Sequence, residues 1–171
     1  VNPYLSSEWA IFLKRKRIKT ILNGISEKER SIIQSNSLKG KNSINLLWVG
    51  RMVPIKNPSL IIKTAYLLKS SKLINLIIIG KGKLLGQIKE EIYNFNKFSR
   101  NENISIKLES SIKRNKVLKE FGNSQIYINT SHSEAFCTTA LEAYVNPYSH
   151  IILPDIMTMR ELYNFPNVIF Y

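Results

Sequence analysis

Acid is scarce in this 171-residue chain: Lys and Arg number 25 against 12 Asp and Glu, for a formal net charge of +13. The shortage is uneven. Residues 121–171 carry one base, Arg160, against Glu134, Glu142, Asp155 and Glu161, so that segment is net −3 and the remainder +16. Cysteine is almost missing. Cys137 stands alone, which excludes an internal disulfide framework and fits a reducing compartment. No apolar run reaches the ~18 residues of a membrane span. The opening VNPYLSSEW is no signal peptide. An initiator Met is also missing, so the chain reads as a piece of a longer protein. Neither His132 nor His150 has a serine or carboxylate spaced for a triad, and Cys137 with His132 is a slender basis for a thiol enzyme.

Hydrophobic residues make up 44% of the chain, enough to bury a core and to argue against global disorder. Isoleucine, lysine and asparagine are heavily used, a pattern that nucleotide bias produces, so much of the positive charge is discounted. One run, KRKRIK at 14–19, supplies five charges. It suits nucleic-acid phosphates or an anionic membrane surface, and equally a solvated helix face. The near-absence of aromatics interleaved with it argues against base stacking and disfavours nucleic acid.

Residues 5–18 read as a weak helix, and 26–43 as a loop or short helix. INLLWVG (44–50) and LINLIIIG (73–80) are short apolar runs ended by glycine, which predict buried strands. NISIKLE (103–109), QIYINTS (125–131) and SHIILP (149–154) add three more. Helical patterns fall between them. NPSLIIKTAYLLKS (57–70) has Asn57 at the cap and Pro58 at the first position. KLLGQIKEEIYNFNKF (83–98) and KRNKVLKEFGNS (113–124) follow. SEAFCTTALEAY (133–144) predicts a fourth helix, starting near Glu134 and ending before Pro147. Such alternation predicts an α/β fold with a doubly wound parallel sheet, Rossmann-like, whose ligand sits at the carboxyl ends of the strands.

The residues after those strand ends are suited to a phosphorylated ligand. Gly50 permits a sharp turn and leaves room for a ligand. Arg51 offers a planar fork of donors and Lys56 a point charge, both fitted to phosphate oxygens. Gly80 and Gly82 form a short loop, a tight turn first and a nucleotide contact second. They do not make a dinucleotide fingerprint, because the third glycine, Gly86, falls one place late. A helix starting near Glu134 would aim the amides of Phe136, Cys137, Thr138 and Thr139 at an anion. Eight helical residues rise ~12 Å and rotate about 80°. Glu134 and Glu142 would then bracket a pyrophosphate, each accepting hydroxyls of a different sugar. The alternatives are a helix-start acid favoured by the dipole and a surface acid. His132 sits beside this site and His150 heads a strand; both suit structural roles.

The order GRMVPIKNP, LINLIIIGKGK and INTSHSEAFCTTALEA resembles the C-terminal half of the retaining nucleotide-sugar glycosyltransferases with two Rossmann-like domains, a GT-B architecture. More narrowly it is similar to glycosyl transferases group one, family four. TILNGIS resembles the family's turn near the domain junction, with Leu22 where proline is usual. The likeness covers roughly residues 20–162. It implies a preceding-domain end or linker over 1–43 and a donor-binding domain over 44–171, truncated at its C-terminus.

By position, the resemblance implies that Arg51 and Lys56 bind the donor pyrophosphate and that Glu134 holds hydroxyls of the transferred sugar. Amides at Phe136–Thr139 would face the phosphates, Glu142 would hold the ribose, and Gly80, Gly82 and Leu108–Ser110 would lie toward the base. It implies no metal and no cofactor; no Asp-x-Asp stretch is present. Retention would follow from front-face attack, the leaving phosphate taking the acceptor's proton. The expected partners are a nucleotide-sugar donor (UDP first), a glycan or lipid-linked acceptor held by an N-terminal domain, and an anionic membrane surface. The expected setting is cytoplasmic surface-polysaccharide synthesis, with this piece alone turning over little. Three departures stand out. Cys137 replaces glycine and would crowd the phosphate. YVNPYSHII replaces a glycine-proline-valine pattern. DIMTMREL replaces a glycine-rich turn.

Overall fold

The computed structural model describes residues 23–36 and 43–171. The predicted helix at 5–18 and the KRKRIK run lie outside the described residues. Among the described residues six strands form one sheet: β1 Ser43–Val49, β2 Leu73–Ile79, β3 Ile104–Glu109, β4 Ile126–Ile128, β5 His150–Leu153 and β6 Val168–Phe170. All neighbouring pairs are parallel, in the order β3-β2-β1-β4-β5-β6. The helices are α1 Glu27–Ser35, α2 Pro58–Leu67, α3 Leu85–Phe98, α4 Arg114–Asn123, α5 Thr138–Tyr144 and α6 Met157–Leu162.

The strands read as near-continuous apolar runs because both sheet faces are covered. Alternate residues serve opposite cores. On β1, Leu46 and Trp48 join α2 and α3 in one core, while Leu47 faces the other, built with α1, α4, α5 and α6. On β2, Ile74, Leu76 and Ile78 take the first side and Ile79 the second. Ile33 of α1 is fully buried with Leu118 and Phe121 of α4. Burying a side chain of that size stabilises by about 2 kcal/mol.

Five strands and four helices fall where the sequence places them, and the 26–43 stretch contains α1, closed by a Ser26–Glu29 capping box. Three details differ. Asn57 occupies the cap position of α2 but makes no side-chain cap bond; it sits at φ 44°, ψ 53°, linking a 3₁₀ turn at Pro54–Lys56 to α2. Asparagine is one of the few residues that tolerates this left-handed conformation. The fourth helix begins at Thr138, four residues beyond Glu134, because the preceding loop spends its polar groups on the site described below. DIMTMREL, expected only to replace a turn, contains α6 and leads into a sixth strand.

β4 pairs with β1 through only two residues, Leu46↔Ile126 and Leu47↔Tyr127. The chain therefore leaves the sheet early, just where strand order reverses between β1 and β4. That reversal opens a crevice at the carboxyl ends of the strands.

Candidate functional site at the strand switch point

A cleft of about 210 Å³ occupies this crevice. Val49, Gly50, Arg51 and Lys56 line it from the β1 side. Asn129, Ser131, Glu134 and Phe136–Thr139 line it from the β4 side. Eight residues singled out in the sequence thus meet in one place: Gly50, Arg51, Lys56, Glu134, Phe136, Cys137, Thr138 and Thr139.

Local hydrogen bonds explain why the two loops meet. The Trp48 indole donates to Thr130 Oγ1 at 2.8 Å, and that hydroxyl donates to the Lys56 carbonyl at 2.8 Å. The His132 amide donates to the Ile55 carbonyl at 2.9 Å. Held this way, Lys56 Nζ reaches Glu134 Oε1 at 2.5 Å. The same oxygen accepts from Ser131 Oγ at 2.8 Å and Asn129 Nδ2 at 3.1 Å. Thr158, in the first turn of α6, donates to the Glu134 carbonyl at 2.7 Å. Glu134 is therefore a loop carboxylate gripped by three donors, not the first acid of a helix. His132 is exposed, and its backbone carries its structural role.

Cys137 lines the cleft, yet its sulfur is engaged by protein. Asn129 Nδ2 lies 3.0 Å away, Thr139 Oγ1 3.3 Å and the Tyr127 hydroxyl 3.8 Å. Burial pushes the thiol pKa up, and the Glu134 charge adds to this. The sulfur thus sits among the cleft-lining Asn129 and Thr139, with the Tyr127 hydroxyl behind it.

Glu142 is not among the residues that line this cleft. It lies on α5, one turn beyond the cleft residues, and is only 5% exposed, so it is no surface acid. Arg114 Nη2 donates to its Oε1 at 2.6 Å. Burial pushes the Glu142 carboxyl above its ordinary value, while Arg114 pulls it back down.

Gly80 borders a second cleft of about 190 Å³, with Lys81 and Glu109–Ile112. This is the region the resemblance assigns to the base. The glycines have a more immediate cause. A Cβ on Gly80 would lie 1.9 Å from the Gly50 carbonyl oxygen, and one on Gly82 (φ +154°) 2.5 Å from the Met52 carbonyl oxygen. A Cβ on Gly50 would press the Trp48 ring at 3.1 Å. The loops after β1 and β2 pass so closely that only glycine fits, as the tight-turn reading expected.

Sequence reasoning passed over Asn129, Thr158, Arg114 and Glu29. Asn129 was within reach, being a polar residue at the carboxyl end of a parallel strand. The other three carry no local signal.

A family model described as glycosyl transferases group 1 matches residues 29–147. No curated protein sequence matches. Solved structures share the fold at low identity. TarM from S. aureus, in a mutant complexed with fondaparinux, alpha-GlcNAc-glycerol and UDP, superposes with TM-score 0.65 at 20% identity, over 92% of this chain and 29% of that one. HepE from Anabaena, in complex with UDP and glucose, gives 0.65 at 15% identity, over 98% of this chain and 47% of that one. The C-terminal domain of a glycosyl transferase group 1 family protein from Francisella tularensis gives 0.56 at 20%, over 75% and 66%. The chain thus spans under a third of TarM and under half of HepE. Its Rossmann-like sheet matches one part of these GT-B enzymes, and with the family model covering well over half its length, the chain belongs to the glycosyl transferases group 1.

Proposed function

We propose that this chain is the nucleotide-sugar donor-binding domain of a retaining, metal-independent glycosyltransferase. It moves a hexose, from UDP by preference, to a glycan or lipid-linked acceptor in surface-polysaccharide synthesis at the cytoplasmic face of a membrane. The observation that carries this reading is the Lys56–Glu134 pair at 2.5 Å, set beside Arg51 in a switch-point cleft. A cation fit for diphosphate and a carboxylate fit for sugar hydroxyls stand side by side where a sugar–phosphate bond would lie. UDP in the TarM and HepE structures supports the choice of base.

The chemistry follows from these groups. The acceptor hydroxyl oxygen attacks the anomeric carbon on the face the diphosphate leaves. The bond from that carbon to phosphate oxygen breaks, and the departing phosphate oxygen takes the acceptor's proton. Lys56 and Arg51 stabilise charge building on the leaving group, worth most in a partly desolvated cleft. Backbone amides at Phe136–Thr139 add to them. Glu134 accepts sugar hydroxyls and orients the ring; it is no nucleophile. Lys56 is shared between Glu134 and the diphosphate, so donor binding redistributes an existing contact. Gly80, Gly82 and the 190 Å³ cleft lie toward the base, and Glu142 toward the ribose.

A thermal-shift panel of UDP, GDP, ADP and CDP, repeated on Lys56→Ala, tests this. Stabilisation by one nucleotide, lost in the variant, supports the reading and identifies the base. Silence from the full chain with every nucleotide at millimolar concentration defeats it.

A further inference from the structure

The Glu142 carboxylate is held at one end and unanswered at the other. Arg114 takes Oε1; Oε2 is buried and meets no hydrogen-bond donor among the described residues. A buried acceptor without a donor is costly, so such an atom points to a group supplied from outside the chain. Arg114 is itself fixed. Its Nη2 and Nε reach Glu29 Oε1 at 2.9 and 3.2 Å. Glu29 in turn is set by the capping box of α1: its Oε2 accepts from Ser26 Oγ at 2.9 Å and from the Ser26 amide at 3.3 Å. The cluster joins three helices whose partners lie 85 and 28 residues apart.

We propose that Arg114 is a positioning residue of the nucleotide-ribose subsite: it anchors Glu142 through Oε1, leaving Oε2 to accept the ribose hydroxyls, with Glu29 of α1 holding Arg114 in place. This rests on the donor-binding reading above. The guanidinium orients the carboxylate, since one of its oxygens is committed. It also favours the ionised form, the stronger acceptor for a hydroxyl. Three groups act on or feel the Glu142 charge: Arg114 from α4, Glu29 from α1 with like sign, and the Tyr163 phenol just after α6. Among the described residues Arg114 alone favours ionisation, so removing it moves the titration of Glu142 upward.

The test is binding of UDP and GDP, each beside its 2′,3′-dideoxy analogue, to the full chain between about pH 5.5 and 8.5. Arg114→Met is expected to weaken the cognate nucleotide about tenfold, the loss of one charge-assisted hydrogen bond, and the dideoxy analogue less than twofold. The variant's remaining affinity should fall on acidification with a midpoint above that of wild type. Glu29→Gln, which leaves Arg114 and Glu142 unsubstituted but loosens Arg114, should show the same ribose-selective loss at smaller size. It serves as the second readout if Arg114→Met fails to fold. An equal loss for the ribose and dideoxy forms, or no loss in either variant, overturns the inference and leaves the donor reading standing. No nucleotide binding by wild type overturns both.

Discussion

Lys56 and Glu134 form one contact to which the proposed function gives a part in both stability and turnover. Lys56→Ala removes one of three donors to Glu134, while Asn129 and Ser131 keep the carboxylate partnered. The fold should therefore lose only about 1 kcal/mol. Transfer activity should fall about 100-fold, the scale seen when one preorganised electrostatic group is removed. Chemical denaturation together with initial rates separates the two effects. Glu142 behaves in the opposite sense. Its folded pKa lies above the ordinary value, so its ionised form costs stability above that value and the cost is relieved as pH falls. Glu142→Gln should leave the melting temperature at pH 7 unchanged or higher while weakening nucleotide binding. A clear drop in melting temperature would show that the Arg114 contact outweighs the burial cost.

Elements meet here through backbone, which makes small residues critical. At the β1 and β2 loops, Gly80→Ala drives a methyl into the Gly50 carbonyl. A backbone oxygen cannot turn aside as a side chain can, so the loops must part. The expected loss is about 2 kcal/mol or more, with nucleotide binding lowered because Arg51 moves with its loop. Calorimetry beside a binding isotherm checks both. Asn146 plays a comparable part at the far end of α5. Its buried Nδ2 lies 2.9–3.1 Å from the carbonyls of Phe121, Gly122 and Ser124, tying α5 to the end of α4. This gives the departure YVNPYSHII a physical role: its asparagine makes side-chain contacts that tie two helices together. Asn146→Ala should cost about 2 kcal/mol, read by urea denaturation, for the carbonyls it leaves unpaired.

Across the whole molecule, acid response depends on carboxylates of opposite tendency. Arg114 and Ser26 hold Glu29 below its ordinary value of 4.5, Lys107 does the same for Glu109, and Arg160 for Asp155. Each contributes stability present above the unfolded value and lost as pH falls through the folded one. Melting temperature should thus decline below about pH 4.5, whereas the relief at Glu142 comes above that value, between its raised folded pKa and the unfolded one. A titration of melting temperature in low salt checks this, and a flat profile would contradict it. The layered α/β fold was legible in the residues because strands buried on both faces must be apolar throughout, and helices on a sheet must repeat near 3.6. The strand ends Gly50-Arg51 and Gly80-Lys81 were legible for the same reason. The start of α5 was not, because Glu134 spends its side chain on Lys56, a partner 78 residues away, rather than on a helix end. Nor were α6 and β6, too short to set up a period. The sequence by itself determined the alternation of elements, the end of the sheet that carries the site and the family to which the chain belongs. Only the tertiary structure decided which acid meets which base, why Gly80 and Gly82 must be glycine and where Glu142 sits. Periodicity is a property of neighbours along the chain, whereas a hydrogen bond between distant loops exists only once the sheet has brought them together.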